Sequence, residues 1–462
     1  MLDTALIESL AQVLGYDNVS TREDDLERYS ADALTPSRAF RAAPSLQKTA
    51  DVVVIPRSVQ QVVEVVKLAS AYKVPIVPYG GGTGVMGAVL PVRGGIVIDL
   101  KGLNKVLDVN PTDRTALVEA GVVLEDLVKA LDAHGLMLGH DPWSVPIATV
   151  GGTISTNGVG YRAASYGPMG AQVLGLEAVL PNGQVLITRS VPKYSSGPNL
   201  NHLFIGTEGV FGVITKATLM VFRQPEKRSF STVGFDSFDN GFKAVAEFFA
   251  LGVRPTLVDL TEEPGNGIRL YMMYEGYKEG VSAQRRRSLQ VCYSFSGKDL
   301  GAGEALDYWK TRHRTGEWYR KEMLNQPRSV RWQQRRGRGF DYLHMALPVS
   351  QVLDYRRRSE EILARRGVKV VEYAIWTQPE LFSMLLVPDG KVTDESLGNL
   401  AEAVDEVLVL SQDMGGTMEY CHGVGVKLAH LLPREMGVGF DVAKAMKHAL
   451  DPYNIMNPGK LF

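Results

Sequence analysis

Pro78-Tyr79-Gly80-Gly81-Gly82-Thr83-Gly84-Val85-Met86-Gly87 is the stretch on which the fold turns. It follows a short apolar run at 74–77, which predicts a strand ending in a glycine-rich loop. Consecutive glycines strip Cβ atoms from a turn and let backbone N–H groups converge on an anion such as a pyrophosphate. Gly82, Gly84 and Gly87 even spell G-x-G-x-x-G. A Rossmann unit, however, needs that fingerprint to open a helix. Here Leu90-Pro91 and Gly94-Gly95 follow at once, and the next strand, at 96–100, arrives before a crossover helix fits. Asp99 then only mimics the ribose-binding acid of a Rossmann site. The loop predicts a dinucleotide held by a different α/β arrangement.

Upstream, 51–55 reads as a strand, and Ser58-Val59-Gln60-Gln61 reads as a capping box opening an amphipathic helix to about Tyr72. Residues 3–15 have helical spacing and a polar segment runs on to about Thr49. Downstream, strands at 96–100 and 116–119 precede a helix at 124–134. The block 143–167 (WSVPIATVGGTISTNGVGYRAASYG) is rich in Gly, Ser, Thr and Asn. It reads as a long loop, and loops of that length are usually functional. Runs at 174–180 and 184–188 flank Pro181-Asn182-Gly183, a hairpin turn. In 195–215, Gly206, Gly209 and Gly212 keep backbone accessible before another strand.

Past about Pro225 the glycine loops give way to aromatic, arginine-rich and helical patterns. The sequence therefore predicts a domain over 1–225 and a second over 226–462. The second has strands at 229–235, 267–274 and 340–348, a helix at 350–366 and a helical tail from 442. A chain of 462 residues is too long for one core. Its formal net charge of −1 argues against a nucleic-acid partner. Cys292 and Cys421 are the only cysteines, which excludes a disulfide framework and predicts a cytoplasmic setting. The N-terminus lacks a basic stretch before an apolar run, and no apolar stretch reaches membrane-span length, which leaves peripheral membrane contact open. A homodimer is the default assembly.

Five blocks in order, PYGGGTG, TVGGTISTNGVG, GTEGVFGVIT, CHGVG and LDPYNIMNPGK, resemble the FAD-linked oxidoreductases of the vanillyl-alcohol oxidase superfamily. The resemblance runs from about residue 20 to 462. It implies an α+β protein: a two-subdomain FAD-binding domain, then a C-terminal cap domain with an antiparallel sheet and flanking helices. The cap's final segment returns to the FAD domain. In that frame Pro78, Tyr79, Gly80, Gly81, Gly82, Thr83, Gly84 and Val85 cradle the pyrophosphate. Trp143, Ser144, Pro146, Thr149, Gly151, Gly152, Thr156, Asn157 and Gly158 line the flavin and ribityl chain. Glu208, Gly209, Gly212, Val213 and Ile214 meet the adenine side, and Asn457 joins them from the tail. Some relatives attach FAD through a His in the glycine loop; Tyr79, Thr83 and Val85 predict non-covalent FAD here.

His422 is the base candidate, because imidazole ordinarily titrates near neutral pH and relatives place a functional His at this motif. Tyr420 is a second candidate, and Tyr373 is a candidate substrate contact. The D-2-hydroxy acid dehydrogenases of the family hold a divalent metal through two His in an HxGDGNxH-type stretch and a Glu before the motif His. The corresponding stretch here, 372–377, has no His, and Cys421 stands at the Glu position, so no metal is predicted. The basic segment 312–338 carries Arg312, Arg314, Arg320, Lys321, Arg328, Arg331, Arg335, Arg336 and Arg338. It reads as a solvated face, a membrane patch, or a gate in which Arg312 and Arg331 meet an anionic substrate. These readings predict a FAD-dependent oxidoreductase passing hydride from a small hydroxylated substrate to flavin N5, then to a separate acceptor. The rivals are a non-redox synthase resembling the alkyldihydroxyacetonephosphate synthase branch and a flavin-binding subunit without catalysis.

Overall fold

Strands Val52–Val54, Ile96–Asp99 and Ile76–Tyr79 run parallel in that order, with Val19–Ser20 antiparallel on the outer edge. The structure, a computed structural model, describes residues 2–333 and 339–462, so Arg335, Arg336 and Arg338 lie outside the described residues. Ile96–Asp99 is buried along its whole length, as a central parallel strand must be. Helix Val59–Tyr72 follows Val52–Val54, and Ser58 Oγ accepts from the Gln61 N–H at 3.2 Å. The return bond shifts by one residue: Gln61 Oε1 accepts from Arg57 rather than from Ser58. No helix separates Tyr79 from Ile96, although the two strands pair in parallel. Asp99 is buried and accepts from the Tyr29 hydroxyl at 2.5 Å and the Lys101 N–H at 3.0 Å, so it serves the core and not a ribose.

Two stretches that read as irregular contain helices. Glu23–Tyr29 starts with Glu23, Asp24 and Asp25 and ends near Arg28, the charge order a helix dipole favours. Val150–Thr156 is capped by Thr149, whose Oγ1 accepts from Gly152, and stopped by Asn157 at a φ of 49°. Glycine content had disguised it, since Gly151 and Gly152 lower helix propensity. Gly151 is needed because a Cβ there would stand 2.8 Å from the Cβ of Ala120.

A second sheet is antiparallel throughout, in the order Val106–Asn110, Thr115–Glu119, Val213–Met220, Val173–Val179, Val185–Ile187. A third has seven antiparallel strands: Lys298–Gly301, Lys227–Phe235, Gly267–Gly276, Leu257–Glu263, Val368–Trp376, Leu381–Pro388 and Asp341–Ala346. Helices Phe238–Ala250, Lys278–Ser294, Val352–Arg365 and Asp394–Asp413 pack against it. Period-two alternation divides its strands. Leu343, Met345, Tyr373 and Ile375 enter the core, while Tyr342, His344, Glu372, Ala374 and Trp376 face a cavity. After helix Val438–Leu450 the tail returns to the first sheet. Ile76 donates to the Ile455 carbonyl at 2.7 Å and accepts from Asn457 at 2.8 Å.

Candidate active site

The glycine loop is pressed against the start of helix Val150–Thr156. A Cβ on Gly81 would lie 2.5 Å from the Ile147 carbonyl oxygen, and one on Gly80 would lie 2.3 Å from Thr149 Oγ1. Both are closer than real Cβ contacts allow, so only glycine lets the two segments meet. Glu208 holds a positive φ of 53° on the opposite side, and its carboxylate accepts from the N–H groups of Val424 and Gly425 at 2.8–3.0 Å. Burial raises Glu208 to about 7, against the pull of those two donors.

Between these segments and the seven-stranded sheet lies a cavity of about 720 Å³. The loop 78–85, Trp143 and Ser144 line it, as do Thr149, Gly151, Gly152, Thr156 and Gly158. Glu208, Gly209, Gly212, Ile214 and His422 complete the predicted residues in its wall. This half is a trough of backbone with few side chains across it. Its polar lining includes His140, 1% exposed, whose two ring nitrogens have no hydrogen-bond partner among the described residues. A trough of that material, with a buried imidazole unpartnered among the described residues, fits a dinucleotide such as FAD.

The remaining nominated residues lie outside the cavity wall, and each is committed elsewhere. Val213 is buried in the first sheet's core, and the Pro146 carbonyl accepts from Arg320. Asn157 Oδ1 accepts from Gly170 at 2.9 Å. Asn457 donates to the carbonyls of Ala88 and Glu208, so it ties two cavity-lining segments together from behind. Tyr420 lies one bond behind the wall, its hydroxyl 2.9 Å from Ser383 Oγ.

Three expected substrate contacts are corrected. Tyr373 faces the core side of its strand, bonds Glu360 at 2.8 Å and lies under the Arg356 guanidinium. Arg312 is paired with Asp141 at 2.8 Å and stacked on Trp309 at 3.6 Å. Arg331, 3% exposed, donates to the carbonyls of Gln326, Leu324, Arg28 and Ala31. Arg328 likewise bonds Glu27 and the carbonyls of Leu46, Gln47 and Lys48. These two arginines are staples onto the N-terminal segment, a role neither the solvated-face nor the gate reading anticipated.

The cavity's other half is a chamber of side chains. At one point Arg38 stands in the wall, and behind it Asp341 receives both Arg38, at 3.2 Å, and Lys427, at 2.6 Å, with all three buried. Burial pulls Lys427 below its ordinary value, with Asp341 opposing. Beside them His422 has Nδ1 3.6 Å from Glu419 Oε1, and its ring centroid is 4.6 Å from that of His344. Burial alone would lower His422, but Cys421 and Glu419 outweigh it and raise the group to about 10. The ordinary imidazole value that recommended it as a base does not hold here.

The wall also carries a group of acids. Asp259 accepts from the Tyr308 hydroxyl at 2.7 Å, Glu372 from the Tyr342 hydroxyl at 2.6 Å, and Glu263 and Glu304 stand in the same wall. Burial raises Asp259 to about 7 and raises Glu372. Cys421 packs with Val159 and Ala163. Among the described residues no three His, Cys, Asp or Glu side chains are grouped to hold a metal ion. Among them, too, no helix is long and apolar enough to cross a membrane. Sequence reasoning missed Arg38, His140, Asp259 and His344. Only His344 carried a signal, its alternation with Tyr342 in the predicted strand.

Residues 50–189 match the model of the FAD binding domain, and residues 224–461 match the C-terminal domain of the FAD linked oxidases. The chain is 28% identical to glycolate oxidase subunit GlcD of Bacillus subtilis (strain 168), across 100% of this chain and 97% of that one. It is 30% identical to the mitochondrial D-lactate dehydrogenase (cytochrome) of Arabidopsis thaliana, across 99% of this chain and 80% of that one. Among solved structures, alkyldihydroxyacetonephosphate synthase shares the fold, with a TM-score of 0.78 at 19% identity over 99% of this chain and 86% of that one. The chain belongs to the FAD-linked oxidases and is a FAD-dependent oxidoreductase acting on CH–OH groups.

Proposed function

We propose that this enzyme oxidises a small 2-hydroxy monocarboxylic acid. The observation that carries the reading is Arg38 in the chamber wall, one of two buried cations, with Lys427 behind it, that share the single carboxylate of Asp341. A substrate carboxylate supplies the second anion that such a pair accommodates. Glycolate and D-lactate are named for the GlcD and D-lactate dehydrogenase relatives, and both acids have this shape. The acids Asp259, Glu263, Glu304 and Glu372 in the same cavity wall disfavour a second carboxylate on the substrate.

FAD bound non-covalently along the trough supplies N5 as the hydride acceptor. In our reading the 78–85 loop holds its pyrophosphate, the 143–158 segment its flavin side and 208–214 its adenine side. Arg38 orients the substrate by its carboxylate, its charge left in excess because Lys427 also neutralises Asp341. His422 takes the hydroxyl proton at Nε2, and Glu419, below Nδ1, stabilises the imidazolium that results. We further propose a boundary near residue 225, with the tail from 442 serving the first domain. Two free cysteines, both buried, suit a cytoplasmic enzyme, which passes its electrons to a separate acceptor and works as a homodimer.

Anaerobic titration of the yellow protein tests the substrate reading. D-lactate or glycolate should bleach the flavin band stoichiometrically, whereas D-2-hydroxyglutarate should require roughly ten-fold more, the cost of about 1.4 kcal/mol of like-charge contact. Failure of every 2-hydroxy acid to bleach it, with bleaching by a phenolic alcohol, overturns the reading. Product formed from an acyl-dihydroxyacetone phosphate without bleaching overturns it in favour of a synthase.

A further inference from the structure

The second imidazole in the chamber is unused by this scheme. His344 lies on strand Asp341–Ala346, is 6% exposed and forms part of the cavity wall. Its Nδ1 is 2.8 Å from Ser383 Oγ, which is 2.9 Å from the Tyr420 hydroxyl. Its Nε2 is buried and has no hydrogen-bond partner among the described residues. A buried polar nitrogen normally finds a partner, and the cavity is where one can arrive.

The direction of this chain decides what Nε2 offers. Burial, reinforced by Cys421, pushes the Tyr420 phenol well above its ordinary value, so it keeps its proton. Ser383 Oγ is the hydrogen-bond partner of that hydroxyl among the described residues. The arrangement that uses both hydroxyl protons within the chain has Tyr420 donating to Ser383 and Ser383 donating to His344 Nδ1. Burial, then His422, Arg38 and Lys427, all hold His344 well below its ordinary value, so the ring is neutral. A neutral imidazole that accepts at Nδ1 carries its proton on Nε2.

We propose that His344 is a substrate-binding residue whose Nε2–H donates to the substrate's carboxylate, with Ser383 and Tyr420 as positioning residues that fix its tautomer. This rests on the hydroxy-acid reading above. The neutral ring adds a donor to the wall that holds Arg38 without adding a further buried cation. His422, 4.6 Å away, remains free to handle the hydroxyl proton.

The test uses FAD-loaded enzyme labelled with ¹⁵N-histidine, the His344 signals being assigned by their loss in His344→Gln. The wild type should show the Nε2–H tautomer, and Ser383→Ala and Tyr420→Phe should show a mixture. Oxalate, an unreactive probe, should perturb the flavin spectrum with a Kd raised roughly ten-fold or more in His344→Phe, a few-fold in Ser383→Ala, and least in His344→Gln, whose amide N–H keeps a donor. An Nδ1–H tautomer or an imidazolium in the wild type overturns the assignment. So does oxalate binding in His344→Phe as tight as in the wild type, even if D-lactate still bleaches the flavin. Conversely, weakened oxalate binding in an enzyme that no hydroxy acid reduces would retain this anion site and discard the substrate reading.

Discussion

The trough and the chamber share one cavity but are made of different material. The trough is backbone: glycines 80–82, the capped start of helix Val150–Thr156 and the turn at Glu208, each fixed by close approach of main chains. The chamber is side chains, delivered by alternate positions of strands far apart in sequence and by Arg38 and His422 from outside the sheet. Substitutions in the two halves should therefore fail differently, the trough by losing cofactor and the chamber by losing substrate affinity or rate.

Gly81→Val should give the largest effect. Its Cβ would meet the Ile147 carbonyl at 2.5 Å, and backbone cannot swing aside as a flexible side chain can. The expected product is a folded, nearly colourless protein, checked by the flavin-to-protein absorbance ratio and by circular dichroism. A yellow variant with normal FAD content would mean that the close contact of these segments is not what holds the trough open.

That contrast also explains what was legible. A glycine needed for steric reasons admits no substitute, so PYGGGTG and GTEGVFG are readable as runs of letters. Chamber residues are readable only after the sheet's order is known. Asp259, Tyr342 and Glu372 come from three strands, and no spacing in the sequence joins them. Tyr373 was nominated beside Glu372 and failed because one step along a strand reverses the side chain. Arg312 and Arg331 were nominated by charge alone, which does not distinguish a waiting guanidinium from one already used by Asp141 or by four carbonyls. Arg38 was invisible for the converse reason: it stands alone in a weakly patterned segment, and its partner Asp341 is 303 residues away.

His422→Ala should lower kcat by roughly 10²–10⁴-fold, the usual scale for losing a general base. The pH profile separates this from loss of packing. Because His422 is raised to about 10, the neutral form that accepts a proton is scarce at pH 7 and grows as pH rises. The wild-type rate should therefore climb toward pH 10, and the variant's rate should be flat across that range. A wild-type plateau already reached by pH 7 would show that substrate binding removes the upward shift.

Arg38→Met comes next and is confined to the chamber. Lys427 still neutralises Asp341, so no buried carboxylate is orphaned, and what disappears is the charge in excess of that pair. KM for D-lactate or glycolate should rise roughly ten- to hundred-fold, with kcat and FAD content close to wild type. An unchanged KM would break the link between this cation pair and the substrate carboxylate.

Tyr373→Phe should do least, and the small size is the informative part. The ring packs with Phe238, Phe382 and the Arg356 guanidinium, all of which phenylalanine preserves. The hydroxyl's bond to Glu360 lies on the helix-covered side of the sheet, so its loss should cost about 1 kcal/mol of stability. Thermal unfolding should register that cost while KM, kcat and flavin content stay at wild-type values. A raised KM would mean that the face of the sheet opposite the cavity transmits to the substrate. The separation between a chamber face and a core face of the same strand would then fail at this position.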